Sequence, residues 1–145
     1  MALWMYAEDH GGRYPAGEKN PGACLSLLYR AKTPDGHEYA NPYLLRGMTV
    51  PEQTTKRILE GGRLLGPDSC GWHYVPELTT NDDPSIAIIW CKASLFHNGE
   101  YDKDGGRQVG YVGGNVDYIP GDRWAAFLSR QERLMSNRSN ALLKI

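Results

Sequence analysis

The run Ser85-Ile86-Ala87-Ile88-Ile89-Trp90-Cys91-Lys92 constrains this chain more than any other feature. It is apolar without interruption from Ile86 to Cys91, so it offers no polar face to water, and its isoleucines favour extended backbone. A strand of this kind belongs in the middle of a sheet, with both faces covered. Its partners lie on either side in sequence. Arg107-Gln108-Val109-Gly110-Tyr111-Val112 and Asn115-Val116-Asp117-Tyr118-Ile119 flank Gly113-Gly114, a spacing that predicts an antiparallel hairpin. Upstream, Gly71-Trp72-His73-Tyr74-Val75 is rich in strand formers and stops at Pro76. The second half is therefore expected to be an antiparallel meander.

The first half and the end read as helices. Leu3, Trp4, Met5 and Ala7 fall at helical spacing, and His10-Gly11-Gly12 is a stop signal. This helix begins on apolar residues without a cap. It is either a short helix docked on the core or the last turns of a longer one. Residues 12–21 form a loop, after which a short helix places Cys24, Leu25, Leu28 and Tyr29 on one face. Thr33-Pro34-Asp35-Gly36 is a turn. Thr49-Val50-Pro51-Glu52 predicts a helix opened by a capping box between Thr49 and Glu52, ending at Gly61-Gly62. Pro120-Gly121-Asp122 breaks the sheet and opens a last helix with Trp124, Phe127, Leu128, Leu134 and Met135 as its apolar stripe.

Helices, then a meander, then a helix make an α+β domain, not a parallel α/β one. Its 145 residues suit one domain. Residues 1–120 carry the body, and residues 121–145 add a helix and tail to it. Sixteen Lys and Arg against seventeen Asp and Glu leave net −1, which argues against a nucleic-acid binder driven by bulk charge. The segment from Gly121 onward is basic, with Arg123, Arg130, Arg133, Arg138 and Lys144 against Asp122 and Glu132. An excess that modest suits a solvated helix face. The apolar run at Ile86 is far short of the ~20 residues that span a bilayer. The opening residues lack the basic stretch of a signal peptide.

Chemistry-bearing patterns are sparse. His10, His37, His73 and His97 do not pair with one another, or with Cys or carboxylates, at metal-ligand spacing. Glu100 and Asp102-Lys103-Asp104-Gly105-Gly106 resemble the opening of a calcium loop, yet the twelfth position, where a bidentate Glu belongs, is Gly113. A polar turn is the plainer reading, and it holds for Asn81-Asp82-Asp83-Pro84 as well. Cys70 and His73 lie three apart in extended chain and point to opposite faces. Cys24, Cys70 and Cys91 allow one bridge or none. Asn137-Arg138-Ser139 fits a glycosylation triplet that occurs often by chance. Nucleophile elbow, phosphate loop and dinucleotide fingerprint are all missing. No catalytic, cofactor-binding or metal-binding residue is expected, and the chain is not read as an enzyme. Tyr39, Tyr43, Trp72 and Tyr101 suit either sugar stacking or the core of a small sheet.

Two stretches resemble a known family. Met5-Tyr6-Ala7-Glu8-Asp9-His10-Gly11-Gly12-Arg13-Tyr14-Pro15 is similar to the Met-Tyr-Ala-Asp-Asp-Asn-x-Gly-x-Tyr-Pro junction of type II secretion pseudopilin-like proteins, where the chain leaves its long N-terminal helix. Tyr74 to Leu78, Asp82-Asp83-Pro84, Ile86 to Trp90, His97-Asn98-Gly99 and Arg107 to Ile119 resemble the C-terminal region of prepilin-type proteins. That region carries a His, nine residues, then Asp-Gly. Here Gly113 stands where the family has Asp, and Asn115 where it has His. The resemblance implies a pilin-like head: a helix continuing from a membrane span and packed on an antiparallel sheet, with Leu3, Trp4 and Tyr6 at the junction. It implies a structural subunit without chemistry of its own, in the periplasm or at the cell surface. The full-length protein would be anchored in the inner membrane and would meet other pilin-like subunits and secretion-system proteins. The loop Asn98 to Gly106 and the segment after Asp122 would face partners. The alternative is an extracellular module that binds calcium or carbohydrate.

Overall fold

The computed structural model describes residues 2–94 and 103–143. A helix opens the chain: α1 spans Ala2–Asp9 and turns Leu3, Tyr6 and Ala7 inward. It ends where the His10 and Gly12 N–H groups both bond to the Ala7 carbonyl, at 3.1 and 2.8 Å. Gly12 holds φ at +84°, a conformation that only glycine adopts without strain. Short helices α2 (Pro21–Leu25), α3 (Leu27–Arg30), α4 (Pro42–Leu45) and α5 (Glu52–Glu60) follow.

Two of these starts repeat one device. Asn20 and Asn41 each accept the N–H three residues on, at 2.9 Å, and each is followed by proline at the first helical position. Asn-Pro is thus a helix start here, and the one expected helix over Cys24 to Tyr29 is two. They meet at Ser26, whose backbone stays helical and whose hydroxyl donates to the Gly22 carbonyl and accepts from the Leu65 N–H. The capping box expected at Thr49 does not form. α5 starts later, with Pro51 as its cap, and the Thr49 hydroxyl stands instead against the Cα of Gly71. Tertiary packing outbids the local cap.

Four strands, β1 (Trp72–Tyr74), β2 (Ala87–Cys91), β3 (Arg107–Tyr111) and β4 (Val116–Ile119), pair in chain order as an antiparallel meander. The Ile86 run is central, as its composition requires, and Gly114 at φ +93° makes the expected hairpin turn. A bulge between Ala87 and Ile89 resets the register against β3. Ile86, Ile88 and Val112 enter the cluster formed with α1, α2 and α3, while Ala87, Trp90 and Val109 meet Phe127 on the other side. A short turn, Gly121–Arg123, leads into α6, Trp124–Leu143. The sheet is therefore covered on both faces, by α1 to α3 on one and by α6 on the other. The molecule is a mixed α+β domain. Among the described residues no helix is long and apolar enough to cross a membrane.

Candidate functional site

Directed contacts gather where α1 meets the β3–β4 hairpin. Leu3 and Tyr6 are buried, and Trp4 donates its indole N–H to the Tyr111 carbonyl at 3.1 Å. The Trp4 ring lies beside Gly110 and Gly114, which present no side chain to it. Past the glycine stop, Tyr14 turns inward and donates to the Val112 carbonyl at 2.7 Å; from the sheet, Tyr74 donates to the Pro15 carbonyl at 2.7 Å. Burial pushes both phenols above their ordinary pKa, so they remain neutral donors. The segments Met5 to Pro15 and Arg107 to Ile119 are thus locked together.

Beside this junction the end of α1 carries an aromatic group. His10 stacks on Tyr6 with ring centres 3.8 Å apart, and its Nδ1 donates to the Tyr6 carbonyl at 2.7 Å. A carbonyl can only accept, so Nδ1 carries the proton. Tyr39 packs edge-on to both rings and donates to the Asp9 carboxylate at 2.6 Å. That bond to a carboxylate pushes the Tyr39 phenol up to about 12. A cleft of about 580 Å³ opens here, bordered by His10, Arg13, Tyr14, Glu77 and Thr79. Glu77 has φ +72°, and its carbonyl accepts from Arg138 at 2.9 Å.

The remaining candidates are scattered. His37 lies near the Thr33–Gly36 turn, where its N–H donates to the Thr33 hydroxyl. His73 stacks on Trp90 at 4.3 Å, and burial, then Lys92 and Arg107, hold its pKa down. Cys70 points into the α1-side cluster, away from His73. All three cysteines are free thiols, and burial raises the pKa of Cys24 and of Cys70, which makes both poor nucleophiles. The Asp104 carboxylate accepts from the Tyr118 hydroxyl at 3.1 Å and the Gly121 N–H at 3.4 Å. His97, Glu100, Tyr101 and Asp102 lie outside the described residues. Among those described, no group of three or more His, Cys, Asp or Glu is placed to hold a metal ion.

The stacking candidates are also dispersed. Tyr39 is buried at the end of α1. Trp72 donates to the Leu44 carbonyl at 2.7 Å, and the Arg46 guanidinium lies 4.5 Å from the centre of the Tyr43 ring. Asn137 lies within α6, and Arg138 next to it pairs with Asp82 at 2.6 Å. So the Asn81 to Pro84 segment is a docking point for α6. Residue patterns gave no warning of Gln131, the buried polar side chain of α6. It accepts from the Ala87 N–H at 2.9 Å and donates to the Ser85 carbonyl at 3.2 Å. The one available signal is its place in the apolar stripe, four residues after Phe127. A second concavity of about 850 Å³ lies between β4 and α6, bordered by Tyr111, Asp117, Arg123 and Arg130.

Comparison of the chain with protein-family models, with curated proteins and with solved structures returned no match.

Proposed function

We propose that this chain is the head of a pilin-like structural subunit of a type II secretion or type IV pilus-like assembly, and that it does no chemistry of its own. One observation carries the reading. Met5 to Pro15 and the last block of the second resembling stretch, Arg107 to Ile119, lie almost a hundred residues apart in sequence and are bonded to each other in space by Tyr14, which donates to the Val112 carbonyl, with Trp4, just ahead of the first stretch, bonded to the Tyr111 carbonyl. A head that transmits force from a membrane helix is served by such a joint, in which directed hydrogen bonds add to the apolar packing of the helix on the sheet. Met5, half exposed on α1, offers an apolar contact to a neighbouring helix. The partners would be other pilin-like subunits and secretion-system proteins at the inner membrane, with the head in the periplasm or at the cell surface.

The test is to read the gene upstream of the Ala2 codon. A basic-Gly leader followed by ~20 apolar codons in continuous frame with Ala2 is the expected result. A stop codon in frame ahead of Met1, with no such segment between, would overturn the proposal. The calcium- or carbohydrate-binding alternative lacks a comparable observation, since the Asp104 carboxylate and the Tyr39 hydroxyl already have protein partners.

A further inference from the structure

The cleft of about 580 Å³ beside the end of α1 lies where β2 begins and β3 ends, since Tyr14 in its wall reaches the Val112 carbonyl. Its size is that of a small-ligand site, ~300–1,000 Å³. Four polar groups around it make no hydrogen bond or ion pair among the described residues. The first is the Tyr6 hydroxyl. Tyr6 is 8% exposed and borders the cleft, and a hydroxyl so nearly buried is normally bonded. The second is His10 Nε2, since only the opposite nitrogen, Nδ1, is committed to the Tyr6 carbonyl. The third and fourth are the Arg13 guanidinium and the Glu77 carboxylate. These carry opposite charges and border one cleft, yet they form no ion pair with each other.

Glu77 is held there against its backbone preference. Among the described residues it alone takes a positive φ, +72°, without being glycine. Nothing in its backbone contacts calls for a carboxylate, because its carbonyl accepts from Arg138 and a glycine carbonyl would accept equally well. The side chain faces the interior side of the cleft. Burial above all raises the Cys24 thiol and the Tyr74 phenol, and the negative charge of Glu77 adds to both. Backbone strain of this kind gathers at binding sites.

We propose that this cleft binds a small zwitterion, a dipeptide with charged amino and carboxyl ends. Arg13 takes the carboxylate. Glu77 takes the ammonium. The Tyr6 hydroxyl and His10 Nε2 serve the remaining polar atoms of the ligand, the peptide group between its ends among them. A simple anion would set negative charge against Glu77, and a simple cation would set positive charge against Arg13. Only a ligand with both charges answers the pair. The cleft operates whether or not the head belongs to a fibre, so it does not rest on the assembly reading.

The experiment uses the 145-residue chain, isotope-labelled, and the dipeptide leucyl-leucine, followed by amide chemical shifts. Shifts are expected to gather at Tyr6, His10, Arg13 and Glu77. Acetyl-leucyl-leucine lacks the ammonium and leucyl-leucine amide lacks the carboxylate; each is expected to bind at least about tenfold more weakly. Glu77→Gln removes the discrimination against the acetylated probe, and Arg13→Gln removes that against the amide. Glu77→Gly separates binding from folding. It is expected to keep or raise the unfolding midpoint, because φ +72° suits glycine, while weakening leucyl-leucine at least about tenfold. Absence of shifts at these four residues with millimolar leucyl-leucine overturns the proposal. So does equal binding of either blocked probe. Undiminished binding by Glu77→Gly also overturns it, since the carboxylate would then have no part in the site.

Discussion

Two phenol hydroxyls, those of Tyr14 and Tyr74, hold the joint between α1 and the sheet by donating to backbone carbonyls in the interior. Tyr74→Phe leaves the Pro15 carbonyl without its donor and is expected to destabilise the domain by about 1–3 kcal/mol, read as a lower midpoint in urea at unchanged slope. Alkaline pH acts on the same class of side chain. Burial raises the phenols of Tyr6, Tyr14, Tyr74 and Tyr111, while the Asp9 carboxylate raises Tyr39 to about 12. A phenol whose folded pKa lies above its unfolded value of 10 favours the fold while protonated. That contribution is complete below pH 10 and, for Tyr39, is lost as pH rises from 10 towards about 12. Stability should therefore fall with rising pH in that window, and Tyr39→Phe should lessen the slope. An unchanged slope would refute the assignment to Tyr39. Of these tyrosines, the sequence marked Tyr39 alone as a core or stacking candidate. Which hydroxyl meets which carbonyl was not legible, because the partners are 59 and 98 residues away.

At the scale of elements, α6 is fastened to the sheet by apolar packing and by two polar ties. Phe127 enters the cluster of Ala87, Trp90 and Val109. Gln131 closes both the Ala87 N–H and the Ser85 carbonyl, and Arg138 bonds Asp82 and the Glu77 carbonyl. Gln131→Leu strands two backbone groups and is expected to lower stability by about 1–3 kcal/mol. The exposed neighbour change Glu132→Ala should stay within about 0.5 kcal/mol. Equal unfolding midpoints for the two variants would contradict the tie. The element pattern was largely legible: the meander, its central strand, the Gly113-Gly114 hairpin and the apolar stripe of α6 follow from periodicity and turn residues. The exceptions have physical causes. Thr49 lost its capping role to packing against Gly71, and Asn41-Pro42 starts a four-residue helix too short to leave a periodic trace.

Across the whole molecule the thiols report on the fold. Cys24 and Cys70 are buried, and Cys91 is partly exposed. Ellman's reagent should therefore reach Cys91 first in the native protein and all three thiols in denaturant. Two thiols missing from the denatured count would mean a bridge that the structure does not contain. The sequence by itself determined the class of fold and the order of its elements, because strand period, turn glycines and helix stops act over a few neighbouring residues. Only the tertiary structure decided what covers the central strand and which backbone groups the buried polar side chains satisfy. It also decided that Arg123 and Arg130 line a groove between β4 and α6. Those outcomes depend on residues far apart in the chain meeting in space, and no local pattern encodes which of many possible meetings excludes water best.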